Sequence, residues 1–534
     1  MSAPIFHHPQ SLKIFGPAGS GKSRELVNIL SEHIADGDFH LLEGIIVSFT
    51  RAAAYDIARR VNPDGEPGRY HCTLHALCKR YYGFEGNIAD GRLREFFKEV
   101  GIPYAGSYVG DGEEWSPTQE WKPSEGGLMM SFFSKCRNLL ISIEEGLALW
   151  EPPAELLNWW SVENMGWVWD RYCDWKTEHG LIDFTDMLEH AANNPPNANW
   201  AFFVLDEAQD STPLQWMVAQ SFASRAEVAY IAGDDDQAIY SWAGANPHEF
   251  LAAATSDEDV LRVNYRSSKL IVDSAQAFIR RNVDRKDKGT RAARQGGVIG
   301  KGGIDIPDLS IDESTMIMGR AHYLLADAQR QLTERGFPFV DKRRSNGVSG
   351  KAAAEFGRMH RLMSGQPVTL DEWRQLMGAI PSNGPWLMRG AKARISEMDA
   401  AMRKSSLVRA RDLIHHGATD NLVNALLARS FDPMARVDRK QLDYFSLVAE
   451  RYGSEYLAEA KAGAVCSVGP IHAFKGLECD HAIIHEALSP AAAKESRIDP
   501  EPERRVFYVA MTRAKERITW INNAFANTNY REIL

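Results

Sequence analysis

Short runs of apolar residues alternate with stretches of helical periodicity in two separate regions of the chain. The first region contains four such runs, which we predict to be strands, at residues 12–15, 45–49, 202–205 and 228–232. The second region contains four more, at residues 315–318, 464–468, 481–484 and 518–521. Strands that are apolar at every position are buried on both faces, as in parallel sheets covered by helices. The pattern therefore predicts an α/β protein with two parallel-sheet domains.

Two long stretches with helical periodicity interrupt these regions. We therefore predict a first α/β domain from residues 1–81 and 170–258, a helical insertion at 82–169, a second α/β domain from 259–343 and 462–534, and a helical accessory domain at 344–461. The insertion is rich in tryptophan, which we expect to pack in a helical core rather than along a nucleic-acid path. Its tryptophans are Trp115, Trp121, Trp150, Trp159, Trp160, Trp167 and Trp169.

The composition of the 534-residue chain, with 44% hydrophobic and 25% charged residues, excludes collagenous, low-complexity and mostly disordered classes of protein. No apolar run approaches the roughly 18 residues of a membrane-spanning helix, and the first residues lack the pattern of a secretory signal. The six cysteines are scattered and form no C-x-x-C pair, which is typical of reduced thiols. We therefore expect a cytoplasmic protein with no membrane partner.

The net charge of −10 argues against a surface coated with nucleic acid, although it leaves room for a local basic groove. One basic segment stands out, because residues 280–294 contain seven basic and two acidic residues. The pattern favours a solvated loop after a helix over a nucleic-acid patch.

A glycine-rich motif at the end of the first predicted strand indicates a phosphate site. Residues 16–23 fit G-x-x-x-x-G-K-[ST] and precede a helical stretch at 24–34. Backbone N–H groups of such a loop surround phosphate oxygens, and the helix N-terminus adds a favourable dipole. The loop residues are Gly16, Pro17, Ala18, Gly19, Ser20, Gly21, Lys22 and Ser23. Lys22 would neutralise the β- and γ-phosphates of a nucleoside triphosphate, and the Ser23 hydroxyl would bind Mg²⁺.

Two adjacent carboxylates, Asp206 and Glu207, follow the apolar run at 202–205. Carboxyl ends of parallel strands lie at one edge of a sheet, so we expect both side chains beside the phosphate loop. Asp206 would hold the Mg²⁺, directly or through water, and Glu207 would act as the base for the water that attacks the γ-phosphate. The two motifs together predict an enzyme that hydrolyses ATP or a related nucleotide.

Seven further segments occur in a fixed order along the chain: Ser48-Phe-Thr-Arg-Ala-Ala-Ala54, Thr73-Leu-His75, Leu181-Ile-Asp-Phe-Thr-Asp-Met-Leu188, residues 233–245 (GDDDQAIYSWAGA), Asn264-Tyr-Arg-Ser267, His472-Ala-Phe-Lys-Gly-Leu-Glu478 and residues 503–515 (ERRVFYVAMTRAK). With the phosphate loop and the Asp-Glu pair, this series resembles the UvrD/Rep-type DNA helicases of superfamily 1. The resemblance covers nearly the whole chain, and it implies two RecA-like domains, each with a mainly helical insertion.

The resemblance also implies roles around the nucleotide. Gln237 would contact the γ-phosphate or its attacking water. Arg266 and Arg513 lie in the second predicted α/β region and would reach the phosphates from across a cleft, where an arginine contributes about 10³–10⁵ in rate. Tyr265 would stack on the base, and Glu478 would contact the nucleotide region and link it to DNA.

For DNA, the resemblance implies that Trp242, with Tyr240 beside it, stacks unpaired bases, at about 1–3 kcal/mol per base. Backbone contacts would come from Thr50, Arg51, Thr73, His75 and His472. The expected partners are single-stranded DNA and junctions between single and double strands, bound by a monomer or weak oligomer; a protein loading partner is left open. The implied activity is a 3′→5′ DNA helicase that uses ATP and Mg²⁺ in replication, repair or recombination.

The sequence departs from the family pattern at four places. Only Gln10 is available for the adenine-reading glutamine, Ala243 stands where the family has arginine, Pro470 replaces a threonine, and the accessory domain at 344–461 is short. These departures leave open a second reading, a DNA-stimulated ATPase translocase that remodels protein–DNA complexes or works in a larger defence or phage-replication assembly without efficient unwinding. A third interpretation is a DNA-binding module in which the bound nucleotide controls a clamp on DNA.

Overall fold

The computed structural model describes residues 6–84, 88–105, 124–303, 305–342, 347–348, 350–382, 384–430, 434 and 437–522. Trp115 and Trp121, two of the tryptophans of the predicted insertion, lie outside these ranges. The chain divides into two compact units, the first made of Met1–Gly297 with Ile498–Thr512, and the second of Val298–Arg497 with Arg513–Leu534. The limits of the four predicted domains stay a prediction.

The strands of the described chain are β1 His7–Phe15, β2 Ile45–Val47, β3 His71–Cys72, β4 Trp200–Leu205, β5 Ala226–Gly233, β6 Ala254–Val260, β7 Val263–Ser268, β8 Arg291–Arg294, β9 Val298–Lys301, β10 Thr315–Gly319, β11 Val340–Asp341, β12 Val368–Thr369, β13 Leu407–Val408, β14 Cys466–Pro470, β15 Cys479–His485 and β16 Ala514–Ile521.

Its helices are α1 Lys22–Asp36, α2 Arg51–Val61, α3 Leu74–Tyr82, α4 Leu93–Glu99, α5 Glu125–Leu139, α6 Ile143–Leu149, α7 Val162–His179, α8 Phe184–Asn193, α9 Pro213–Ala223, α10 Pro247–Ala252, α11 Lys269–Ile279, α12 Ala326–Arg335, α13 Gly350–Met363, α14 Leu370–Ala379, α15 Ala391–Glu397, α16 Ala400–Ser405, α17 Asp420–Leu427, α18 Arg439–Tyr452, α19 Glu459–Val465, α20 Pro490–Ser496 and α21 Glu501–Met511. Where the chain is described, none of these helices combines the length and apolar character needed to span a membrane.

Each unit contains a six-stranded parallel sheet, which confirms the predicted α/β class. The first sheet has the strand order β3-β2-β4-β5-β1-β6, and the second has the order β11-β14-β10-β15-β16-β9. All pairings in the two sheets are parallel. In the first sheet, β1 and β4 flank β5, so the loops that follow these three strands share one edge.

The eight apolar runs correspond to eight central strands. The strands β1 and β16 begin earlier than their runs, and two other runs extend beyond their strands. The strand predicted at 45–49 ends at Val47, because the chain then turns into α2, whose N-cap is Thr50. The strand predicted at 464–468 begins at Cys466, because Ala464 and Val465 form the end of α19, where Val465 is buried. The edge strand β6 was missed, since its sequence, ATSDEDV, is mostly polar and exposed.

The helices between α3 and α8 have their own apolar core, built around Phe96, Phe133 and Trp175. Trp150, Trp159, Trp160 and Trp169 pack against this core, as the tryptophan-rich pattern predicts. Trp167 differs, because 48% of its surface is exposed on α7.

A buried ionic network joins these helices to α8. Arg137 on α5 forms ion pairs with Asp183, Asp186 and Glu189, at 2.7–2.9 Å. Lys176 on α7 pairs with Asp183 at 2.7 Å and with Asp186 at 2.6 Å. The acidic side chains of the segment Leu181–Leu188 therefore hold α5 and α7 against the N-terminus of α8.

Candidate functional site

The phosphate loop lies between β1 and α1, in the strand–loop–helix context that the motif requires. Gly19 and Gly21 have φ angles of +70° and +90°, which other residues rarely adopt. Gly16 is required by space, because a Cβ atom there would lie 2.3 Å from the Ser20 hydroxyl. The Lys22 side chain is buried, and its ammonium donates to the Gly16 carbonyl at 2.9 Å. The ammonium is therefore held over the loop where phosphate oxygens would lie.

Asp206 follows β4 and lies beside the N-terminus of α1. The Ser23 hydroxyl donates to its Oδ2 atom at 3.2 Å. Among the described residues, no hydrogen-bond partner reaches its buried Oδ1 atom. Burial, followed by the charge of Glu207, raises the pKa of Asp206 to about 7, even though Lys22 and Ser23 favour the charged form. A buried carboxylate oxygen without a donor, next to a serine hydroxyl, fits a hard cation such as Mg²⁺.

Glu207 adopts a left-handed conformation with a φ of +56°, and Gln209 connects it to the neighbouring loop. The Gln209 side chain donates to Glu207 Oε2 at 2.6 Å, while its Oε1 atom accepts the backbone N–H of Asp234 at 2.9 Å. The sequence analysis did not predict a functional role for Gln209. The close approach of Gly233 to this residue, where a Cβ atom would lie 2.6 Å from Gln209 Oε1, is visible only in the structure.

The loop after β5 carries Gln237 behind three aspartates, Asp234, Asp235 and Asp236. Gln237 is buried, and its amide nitrogen donates to Asp234 Oδ2 at 2.6 Å. All three aspartates are also buried. The loop adjoins the phosphate loop, because Gly16 N–H donates to the Gly233 carbonyl at 3.2 Å.

The basic segment at 280–294 differs from the solvated loop that the sequence favoured. Arg285 and Lys288 are buried and form ion pairs with the aspartates of the Gln237 loop. Lys286 pairs at the surface with Glu258 at 3.0 Å. The expectation was therefore wrong for Arg285 and Lys288, because the aspartates that bury them lie at least 49 residues away in sequence. It holds for Lys286, which lies at the surface.

Tyr265 and Arg266, on β7, lie against the phosphate loop in the first unit. Asn264 donates to the Ala18 carbonyl at 2.7 Å, and Tyr265 N–H donates to the Gly19 carbonyl at 2.9 Å. The Tyr265 ring is 64% exposed, while the Arg266 guanidinium donates to the Thr512 carbonyl at 3.4 Å. The sequence had placed Arg266 in the second α/β region; β7 instead follows β6 of the first sheet directly, and these hydrogen bonds hold it to the loop.

Several residues proposed for DNA contacts are buried or have a local structural role. Thr50 and Thr73 are the N-caps of α2 and α3, and Arg51 follows Thr50 with its guanidinium 5.9 Å from the Tyr55 ring centroid. His75 is buried, which lowers its pKa to about 4 and keeps the ring neutral near pH 7. Tyr240 is buried and stacks on Phe49 at 4.6 Å between ring centroids.

Trp242 is the aromatic residue of this group that faces solvent. It lies two residues after Tyr240, with 42% of its surface exposed, and its ring centroid is 6.3 Å from that of Tyr240. The buried Tyr240 ring, stacked on Phe49, therefore lies behind an exposed indole.

A pocket of about 30 Å³ lies between the residues proposed for the nucleotide and those proposed for DNA. Asp206 and Glu207 line it together with Thr73 and His75. Two candidate nucleotide residues and two candidate DNA residues therefore line the same small, partly open pocket.

Three predicted site residues lie in the second unit. Arg513 is buried, and its guanidinium donates to the Leu477 carbonyl at 3.0 Å. Glu478 is exposed and pairs with Lys515 at 2.8 Å, while His472 is half-buried in the turn after β14.

Gln10, the residue available for reading adenine, lies in the first unit and is exposed on β1.

The fold and the loop geometry define the class of protein: a P-loop protein with two parallel α/β sheets. Comparison with known families narrows the class. Residues 2–257 match the UvrD/REP helicase N-terminal domain, and residues 459–524 match the UvrD-like helicase C-terminal domain. The two matches cover more than half of the chain, which therefore belongs to the UvrD/Rep helicase family.

Curated relatives of this chain are named as DNA helicases. It is 25% identical over 303 residues to the ATP-dependent DNA helicase PcrA of Staphylococcus epidermidis, a match that covers 54% of this chain and 40% of the relative. It is 26% identical over 309 residues to DNA helicase II of Haemophilus influenzae, with the same coverage. It is 24% identical over 347 residues to PcrA of Bacillus subtilis, which covers 60% of this chain and 44% of the relative. The chain thus spans about two fifths of the length of these relatives.

Proposed function

We propose that this protein is an ATP-dependent motor that moves along single-stranded DNA and separates duplex strands. The observation that carries the proposal is the grouping of Lys22, Ser23 and Asp206 around the phosphate loop in a member of the UvrD/Rep family. The names of the relatives, ATP-dependent DNA helicase and DNA helicase II, support ATP and DNA as substrates.

In this proposal, the backbone N–H groups of the loop and the Lys22 ammonium bind the phosphates of ATP. Ser23 and Asp206 hold Mg²⁺, which, when bound, offsets negative charge on the phosphate oxygens. Glu207 accepts a proton from the attacking water on a carboxylate oxygen, and Gln237 orients that water. Arg266 lies on the loop in the same unit and would stabilise charge on the γ-phosphate, while Tyr265 offers an exposed ring to the base.

For DNA, we propose Trp242 as the stacking platform, since its ring is exposed and supported from behind. Thr50 and Arg51 lie at the exposed start of α2, where the backbone N–H groups and a cation suit phosphate oxygens. Contacts of this kind carry little base specificity. The roles of Tyr240, Thr73, His75, His472, Glu478 and Arg513 stay predictions from family resemblance.

The direction of movement that we propose is 3′→5′, in replication, repair or recombination, with single-stranded DNA and junctions as partners. Ala243 and the short predicted accessory domain favour a second candidate, a DNA-stimulated translocase that remodels protein–DNA complexes or serves a larger assembly. Both candidates need the same ATPase site, and they differ in strand separation.

The test is ATP-driven strand displacement on matched duplexes that carry either a 3′ or a 5′ single-stranded tail, with ATP turnover measured in parallel. We expect displacement from the 3′-tailed duplex, and none with the Lys22→Ala variant as the inactive control. DNA-stimulated turnover without displacement from either duplex would favour the translocase. Absence of DNA-stimulated turnover would contradict both candidates.

A further inference from the structure

Three consecutive aspartates are buried immediately before Gln237. Asp234, Asp235 and Asp236 follow β5, and each is 0% exposed. Carboxylates this close in a low-dielectric interior repel each other, and burial alone favours their protonated forms. The loop therefore needs cations if its carboxylates are to stay charged.

Two cations from the segment after α11 face these carboxylates. The Lys288 ammonium is 0% exposed and lies 3.0 Å from Asp234 Oδ1, 2.7 Å from Asp235 Oδ1 and 2.8 Å from Asp236 Oδ2. The Arg285 guanidinium binds both oxygens of Asp236, at 2.8 and 2.7 Å. One lysine thus contacts all three carboxylates of the loop.

Asp234 connects this ionic cluster to Gln237. Its Oδ1 atom faces Lys288, and its Oδ2 atom accepts the Gln237 amide N–H at 2.6 Å. Burial works to raise the pKa of Asp234, but Lys288, Lys22 and the Gln237 hydrogen bond together lower it below its usual value. Asp234 therefore stays an anionic acceptor, which fixes the amide nitrogen of Gln237 and defines where its carbonyl oxygen points.

We propose that Lys288 is a positioning residue for ATP hydrolysis, which acts through Asp234 to set the orientation of the Gln237 side chain. The inference rests on the proposed function, because it assumes that Gln237 orients the attacking water. Lys288 touches Asp234, while Gln237 is the residue that faces the reaction. Loss of the ammonium leaves three carboxylates against one guanidinium, so Asp234 shares a proton with its neighbours and releases Gln237.

Lys286 provides a matched control within the same segment. Its side chain is 41% exposed and pairs with Glu258, while its backbone N–H donates to Asp235 Oδ2 at 2.8 Å. The Lys286→Met substitution removes the same charge two residues away and keeps that backbone contact.

The experiment compares Lys288→Met and Lys286→Met in single-stranded-DNA-stimulated ATP turnover. Because a misplacement of about 1 Å costs on the order of 100-fold, we expect Lys288→Met to lower kcat about 10- to 100-fold. We expect ADP affinity to change less than about twofold, since Gln237 would orient the water that attacks the γ-phosphate, a group that ADP lacks. Lys286→Met is expected to retain wild-type kcat; equal effects of both variants would overturn the proposal.

A second variant separates positioning from folding. In Lys288→Met/Asp235→Asn, one carboxylate and one cation are removed together, so we expect the melting temperature to recover while kcat stays low. Recovery of kcat with stability would overturn the proposal, as would failure of this charge-balanced variant to fold. In a Gln237→Ala background, Lys288→Met/Asp235→Asn should lower kcat no further, because coupled residues are non-additive. A wild-type protein that hydrolyses no ATP would instead contradict the proposed function itself.

Discussion

At the scale of single residues, Asp206 and Glu207 are adjacent in sequence but differ in environment. Asp206 is fully enclosed beside Ser23, and burial raises its pKa to about 7. Glu207 is half-buried in a left-handed conformation and accepts a hydrogen bond from Gln209. Two carboxylates with different surroundings can take different tasks, which in the proposed mechanism are those of a metal ligand and a base.

The Glu207→Gln substitution tests the second task. The amide keeps the size of the side chain but cannot accept a proton from water, so we expect ATP turnover to fall about 10²- to 10⁴-fold. Binding of ADP and single-stranded DNA should change little, because neither needs the base. Lys22→Ala is the comparison: it should lose both turnover and nucleotide affinity. Turnover by Glu207→Gln above about a tenth of the wild-type rate would exclude the base role.

Trp242 offers a second prediction at this scale. Removal of a stacking ring costs about 1–3 kcal/mol per base, so Trp242→Ala should weaken binding of single-stranded DNA about 5- to 150-fold. ATP turnover without DNA should be unchanged. Trp167→Ala is a matched control, because Trp167 is similarly exposed on α7. Fluorescence anisotropy with an oligothymidine measures both, and equal losses would show that exposure rather than position matters.

At the scale of helices, the acidic segment Leu181–Leu188 joins α5 and α7 to the N-terminus of α8. Asp183 lies at the centre of the ion pairs with Arg137 and Lys176, which hold its pKa at about 2 despite burial. Asp90 lies beside it and accepts the backbone N–H of Phe184 at 3.3 Å. Burial, then the charge of Asp183, raises the pKa of Asp90 to about 7. Asp183 is therefore charged near neutral pH, whereas the neighbouring Asp90 is readily protonated.

The free energy of unfolding should depend on Asp90 between about pH 4 and pH 7. In this range the folded state binds a proton that the unfolded state, with its ordinary carboxyl pKa, does not. Stability from Asp90 is therefore present at low pH and falls as the pH rises towards 7. Asp90→Asn should raise the melting temperature at pH 8, by about 1–2 °C for each kcal/mol in a chain of this size, and clearly less at pH 5, where only part of this stability has been lost.

The control for this prediction is Asp170→Asn on the exposed side of α7. It should shift the melting temperature equally little at both pH values. A uniform shift in Asp90→Asn across the range would show that its carboxyl group does not titrate there.

At the scale of the whole molecule, the charge distribution predicts a weak electrostatic contribution to DNA binding. The net charge is −10, and three cations of the most basic segment are paired with acids. His75 is neutral, so Arg51 is the permanent cation among the residues proposed for DNA backbone contacts. Stacking should therefore contribute more to affinity than phosphate contacts.

The measurement is the affinity for an oligothymidine between 50 and 300 mM salt, concentrations chosen to span the range where counterion release is evident. With one to four neutralised phosphates, the slope of log K against log salt should lie between about −1 and −3. A slope steeper than about −5 would indicate an extensive basic surface. Affinity should not rise between pH 8 and pH 6.5, because His75 stays neutral.

Local patterns in the chain specify much of this fold and part of the site. The eight apolar runs correspond to the central strands of both sheets, and the phosphate loop lies between β1 and α1. These features depend on residues that are close in sequence. The hydrophobic pattern indicates which segments are buried, and the spacing of the glycines indicates the turn of the phosphate loop. Asp206 could be placed beside the loop from the sequence, since strand ends of a parallel sheet share an edge.

Other features depend on contacts between residues that are far apart in the chain. Lys288 meets Asp234 across 54 positions, and Gln209 meets the Asp234 backbone across 25. Neither partner leaves a periodic signal, so the basic segment at 280–294 suggested solvated charge although two of its cations are buried. His75 and Tyr240 are also buried, although the family resemblance implied that both side chains contact DNA. Charge state and exposure follow from what packs around a side chain, which residue order alone does not specify.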